Sequence, residues 1–208
     1  MNWKKIIKDK ENQPAVGTYS DWKEQIAKEC FYQCIYCSIN EAQFGGIDHY
    51  HIEHYKPKSI ERFKILENDI CNLFYSCPIC NRFKSYDWPN DADDLDIICY
   101  PDPSTYDYSD LFVVNSLDYK VYGTYVSTKY MTERLYLNRP QLLYERRESF
   151  LKQREENVTK ALEVLQDKIN NPEDFTLLKE SLSGIIQLNK TLQKRSSIRP
   201  YKLAEIRK

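Results

Sequence analysis

No run of 18 or more apolar residues occurs in this 208-residue chain, whereas a bilayer-spanning helix needs about 20. A transmembrane segment is therefore not expected. The opening MNWKKIIKDKENQP lacks the apolar stretch of a secretory signal, so the expected location is the cytoplasm. Internal repeats and low-complexity tracts are missing too. So is a strong basic excess: the formal net charge is −1, which argues against a protein coated in positive charge. It does not exclude nucleic acid, because the distribution of charge matters more than its sum. Histidine is scarce, with three residues that all fall between 49 and 54.

What is present is an ordinary globular composition, 41% hydrophobic and 29% charged. The length suits one domain, or one domain with an appendage. A core can be buried without metal for bulk stability. The charges are unevenly placed. Six basic residues lie between Lys56 and Lys84: Lys56, Lys58, Arg62, Lys64, Arg82 and Lys84. Ser85 to Tyr119 carries nine aspartates and no lysine or arginine, and Lys190 to Lys208 carries seven basic residues against Glu205. Either the aspartate block or the tail can be a plain solvated surface.

Seven cysteines stand at 30, 34, 37, 71, 77, 80 and 99. In a reducing compartment they are not a disulfide framework. Cys34/Cys37 and Cys77/Cys80 form two C-x-x-C units separated by 39 residues. Each unit can present two thiolates to one ion, and four thiolates suit tetrahedral Zn²⁺. A redox dithiol fits less well, since neither unit sits in a βαβ setting. Cys30, Cys71 and Cys99 lack partners at ligand spacing and read as small buried side chains.

Along the chain, Ser20 or Asp21 is placed to cap a helix on which Trp22, Ile26 and Cys30 recur at four-residue spacing. Gly45-Gly46 marks a turn. Residues 47–55 read as a strand, a second strand includes Leu73, Phe74 and Tyr75, and a short helix begins near Asn81. Two short strands are expected at 111–115 and 121–126. From Lys129 the pattern is helical. Pro140 opens a long helix whose apolar face runs through Phe150, Leu151, Val158, Ala161, Leu162, Leu165 and Ile169. Asn170-Asn171-Pro172 stops it. A second helix, from about Glu173 to Leu192, carries Phe175, Leu178, Leu182, Ile185, Ile186 and Leu192, and the two should pack antiparallel. The organisation is α+β, with residues 1–128 built on a core at 34–86 and a helical region at 129–208.

Between the knuckles the sequence runs I-D-H-Y-H-I-E-H-Y-K-P-K, then C-N-L-F-Y-S-C-P-I-C-N-R-F-K. The order E-H-x-x-P, N-L, C-x-x-C-N-x-x-K resembles HNH nucleases with a ββα-metal core, over residues 34 to 84. The longer phrases, with E-R-L-Y-L-N-R-P-Q-L and E-R-R downstream, are similar to the PtuB-like HNH subunits of Septu and retron-associated antiphage systems. The resemblance implies a four-cysteine zinc staple and an endonuclease. Glu53 and Asn81 would hold a catalytic Mg²⁺ or Mn²⁺, His54 would be the general base, Asn72 would brace the loop between the strands, and Lys84 would touch a phosphate. It also implies DNA as substrate, with RNA such as tRNA left open, and an ABC-type or SMC-like ATPase as partner, for which the helical region is the natural dock.

The residue types suit phosphodiester hydrolysis. A neutral imidazole near pH 7 can take a proton from water, a hydrated divalent ion can meet the phosphate charge, and lysine can neutralise the rest. Asp48-His49 is a second acid–histidine doublet, but only His54 has a proline, Pro57, three residues on. Strand alternation puts His49, His51 and Glu53 on one face, so His51 is either an extra ligand or a neighbour of the site. Asn81 also suits a helix N-cap. The competing reading is an inactive zinc-ribbon module that binds nucleic acid or protein; a third is a redox protein without zinc.

Overall fold

The computed structural model describes residues 3–169 and 175–195. It divides into two compact units, Met1–Leu142 and Leu143–Lys208. In the first, helix α1 (Lys23–Glu29) buries Ile26 and Ala27, with Trp22 and Cys30 buried at its ends. Trp22 is its N-cap and makes no side-chain cap. Asp21, one of the two expected caps, instead accepts hydrogen bonds from the Thr18 amide at 2.8 Å and hydroxyl at 3.0 Å.

The strand expected over 47–55 is shorter. Gly46, at φ 93°, opens a 3-10 turn over Ile47–His49, and β1 spans only His51–His54. The Tyr50 hydroxyl donates to the Ile39 carbonyl at 2.8 Å, which holds the chain at the turn's exit. Strand β2 (Leu73–Ser76) is buried throughout and pairs antiparallel with β1, His51 opposite Ser76 and His54 opposite Leu73. The Cys77 sulfur then accepts from the Cys80 amide as an N-cap, Pro78 takes the first turn, and α2 runs over Pro78–Lys84. The helix therefore starts before Asn81, which sits inside it and is not its cap. Strand, strand and helix follow in sequence, with a long loop between the strands.

Helix α3 (Tyr108–Leu111) leads into β3 (Phe112–Val114), which pairs antiparallel with β4 (Val121–Gly123). Val126, expected in a strand, opens α4 (Val126–Arg134). A Cβ on Gly123 would lie 2.3 Å from the Thr128 carbonyl carbon, so glycine lets α4 fold back on β4. That packing carries residues 129–142 into the first unit, and the division falls after Leu142 and not after residue 128. The core is rich in aromatics. Tyr36, Tyr50, Phe74, Tyr75 and Tyr100 are fully buried, and Tyr50 stacks on Tyr75 at 4.7 Å. Such pairs contribute about 0.5–1.5 kcal/mol beyond their burial.

Pro140 does open the long helix, α5 (Pro140–Ile169), and α6 spans Phe175–Arg195. In the second unit Leu151 and Leu188 are buried, while Leu162, Val164, Leu182 and Ile186 are exposed. The expected stop at 170–172 and the side chains of Leu165, Ile169, Phe175 and Leu192 lie outside the described residues. Among the described residues, no helix is long and apolar enough to cross a membrane.

Candidate functional site

Two sites are built on the strand–strand–helix unit. The first is the cysteine cluster. The first knuckle is closed by the Ser38 amide donating to Cys34 O at 2.7 Å and is tied to β2 by the Ile35 amide donating to Tyr75 O at 3.0 Å. The second knuckle is the start of α2. All four sulfurs of Cys34, Cys37, Cys77 and Cys80 lie within 4.8 Å of one another and all four residues are buried. Cys37 Sγ and Cys77 Sγ are 3.8 Å apart. A tetrahedron with Zn–S bonds of about 2.3 Å has edges of about 3.8 Å, so the cluster can hold zinc. Burial raises the Cys34 and Cys80 thiols well above their usual value, whereas hydrogen bonds from Cys34, Cys37 and Cys80 lower Cys77. A cation at the centre would hold these buried sulfurs as thiolates. All seven cysteines are free, Cys30 and Cys99 buried and Cys71 half-buried, and burial pushes the Cys30 thiol up to about 11.

Arg139 meets this cluster. Its guanidinium donates to Cys80 Sγ at 3.6 Å, Cys37 Sγ at 3.6 Å and Cys77 Sγ at 3.7 Å, and to Leu135 O at 3.3 Å behind α4. Burial works against its charge, but the sulfurs of Cys80, Cys37 and Cys77 outweigh burial and raise its pKa. Sequence reasoning missed this role. Arg139 lies 59 residues beyond Cys80, and nothing in the spacing of cysteines points to an arginine.

The second site lies at the end of β1. The His54 Nε2 is 3.0 Å from the Glu67 carbonyl oxygen. A carbonyl only accepts, so Nε2 carries the proton and Nδ1 keeps the lone pair. Burial holds the imidazole below the usual histidine pKa, which keeps it neutral at pH 7. Tyr19 packs edge-on against the ring, centroids 4.8 Å apart. Lys58 donates to the Tyr19 hydroxyl at 2.7 Å and to Glu67 at 2.8 Å, with 38% of its side chain exposed. Asn72 accepts from the Lys56 amide at 2.8 Å and donates to the Lys56 carbonyl at 3.1 Å and the Leu66 carbonyl at 3.3 Å. Its amide closes the inter-strand loop like a peptide group added to the ladder.

The remaining expected residues are dispersed. His49 ends the 3-10 turn and His51 starts β1; both are exposed. His49 therefore does not share the strand face expected for it. Asn81 is half-buried, on the second turn of α2. Glu53 is 3% exposed. Burial raises its pKa, and Lys84 and Tyr36 oppose that. Lys84, expected at a phosphate, is instead fully buried. Its Nζ lies 2.6 Å from Glu53 Oε1 and 3.1 Å from the His54 carbonyl, because the last turn of α2 faces β1 and not solvent.

No family model, no curated protein and no solved structure matches this chain.

Proposed function

We propose that the protein is an HNH-type endonuclease, the effector of an antiphage system, with His54 as general base. The observation that supports this reading is the fixed tautomer: a neutral, mostly buried imidazole whose Nε2–H is spent on the Glu67 carbonyl and whose Nδ1 is left to act. It also favours the Glu53-His54 doublet over Asp48-His49, whose histidine is exposed on a turn. In the step envisaged, water loses a proton to Nδ1 as its oxygen bonds to phosphorus, and the opposite P–O ester bond breaks. The departing oxygen takes up a proton from solvent. Exposed Lys64 of the same loop would supply charge for the phosphate, joined by Lys58 and Arg62 if they exchange their present carboxylate partners, Glu67 and Asp91.

A bound Mg²⁺ or Mn²⁺ would supply further charge compensation, as the HNH resemblance implies. Of the two residues expected to hold it, Asn81 is half-buried and offers an amide oxygen, but Glu53 does not fit. Its carboxylate is buried and already faces a lysine, whereas a hydrated hard cation keeps several waters. Zinc belongs to the cysteine cluster, where its part is structural. An ATPase partner is what the resemblance implies, and the exposed Leu182 and Ile186 on α6 offer an apolar surface for a contact. A second reading, an inactive zinc-ribbon module, is favoured by the withdrawal of Lys84 from solvent. The deciding experiment incubates plasmid, single-stranded DNA and RNA with the protein and with His54→Ala, with Mg²⁺ or Mn²⁺ and with EDTA. Cleavage by the parent and not by the variant supports the nuclease; cleavage of no substrate supports the binding module, and equal cleavage by parent and variant rejects His54 as the base.

A further inference from the structure

We infer that Lys84 is the resident cation of Glu53, and that this carboxylate is a structural charge and not a metal ligand. This rests on the nuclease reading and deepens it by removing one residue from its metal site. Lys84 is 0% and Glu53 4% exposed at the side chain, with a separation of 2.6 Å. The Tyr36 hydroxyl donates to the same Glu53 oxygen at 3.2 Å. The lysine spends a second donor on the His54 carbonyl at 3.1 Å, and the rings of Tyr100 and Trp88 lie 5.5 and 5.9 Å from its Nζ. Acceptors and π-clouds thus surround the ammonium.

A divalent ion at Glu53 would have to displace an ammonium that cannot reach water. An unpaired buried charge is strongly destabilising, so the exchange is opposed by the cost of stranding Lys84. The pair also closes the unit mechanically. Lys84 ends α2 while Glu53 and His54 end β1, so one side chain joins helix to strand across the sequence from 53 to 84.

The test is amine footprinting of the zinc-loaded full-length protein with an acylating reagent, read by mass spectrometry, with and without millimolar Mg²⁺ or Mn²⁺. Lys84 should be labelled on the order of 100-fold more slowly than exposed Lys64, because reaction waits on local opening, and metal should not change this. Labelling of Lys84 at the rate of Lys64 in the presence of metal would overturn the inference, as would such labelling without metal. Neither readout needs cleavage, so a failure of the nuclease reading is seen separately. A second measurement compares Mn²⁺ affinity by electron paramagnetic resonance in the parent and in Glu53→Gln/Lys84→Met, which removes both charges together. Affinities within about two-fold are expected; a loss of about ten-fold or more, about 1.4 kcal/mol, would make Glu53 a ligand after all.

Discussion

Replacing Arg139 by glutamine removes the guanidinium that touches three of the four cluster sulfurs at 3.6–3.7 Å. Zinc with four thiolates carries a net charge of about −2. At an effective dielectric of about 20, two unit charges 4 Å apart attract by about 4 kcal/mol, and desolvation of the guanidinium takes part of this back. What remains is of the size of hydrogen bonds to charged groups, about 1.5–3 kcal/mol, or roughly ten- to hundred-fold in zinc affinity. Arg139→Lys keeps the charge but loses the planar fork, so it should fall between parent and Arg139→Gln. The assay is competition for zinc between each protein and a colorimetric chelator at fixed pH. Melting of the metal-free forms separates the lost contacts to Leu135 and Tyr136 from the effect on zinc. If Arg139→Gln folds and holds zinc within about two-fold of the parent, the guanidinium does not support the site and the charge argument is wrong.

His54→Ala should lower the cleavage rate on the order of 100-fold or more and leave zinc content near parental, since it removes no zinc ligand, while melting falls modestly because the mostly buried ring and its bond to the Glu67 carbonyl are lost. Cys77→Ser should damage both, because the cap of α2 and one thiolate go together and zinc binding is part of the folding energy; equal zinc content and melting in Cys77→Ser and parent would count against the staple. Asn72→Leu strands both polar groups of Lys56, and a loss of about 1–3 kcal/mol per unsatisfied group is expected in chemical denaturation; a change within about 0.5 kcal/mol, the usual range for surface substitutions, would mean that the loop does not depend on the brace. Burial lowers the His54 pKa in the folded state from the ordinary histidine value of 6.5. Its basic form therefore persists below that value, and the acid limb of kcat/KM should fall lower than an ordinary imidazole would give. By the same sign, the unfolded chain takes up a proton as pH drops below about 6.5 that the folded site resists, so stability declines there; a limb above about 6.5 would contradict the burial of His54.

The parts legible in the sequence are those where local chemistry and spacing agree. The two C-x-x-C units predict a four-sulfur cluster, and the structure brings the sulfurs together. Alternation and β-branching find β2, β3 and β4 to within a few residues. The brace at Asn72 comes from the HNH resemblance and not from spacing; in the structure its side chain makes three hydrogen bonds, to Lys56 and Leu66. The failures have a common cause. Residues 47–49 look extended by composition, but Gly46 and the Tyr50 anchor coil them. Pro78 reads as part of a knuckle, yet it is the first turn of a helix capped by a sulfur. Lys84 looks like surface charge because lysine usually is, and only the crossing of α2 over β1 buries it. Arg139 cannot be seen at all, since its meaning depends on where a later helix happens to end.

The proton on His54 is placed by a main-chain oxygen, that of Glu67. Side-chain partners can be deleted by one nucleotide change; a carbonyl persists whatever residue occupies position 67, proline included. The choice of nitrogen is thus insulated from point mutation and exposed only to insertions or deletions that move the loop. On the proposed nuclease reading, variants that exchange the basic side chains of residues 56–71 would keep the same base. The loop is open to drift in everything except its length and its path past His54.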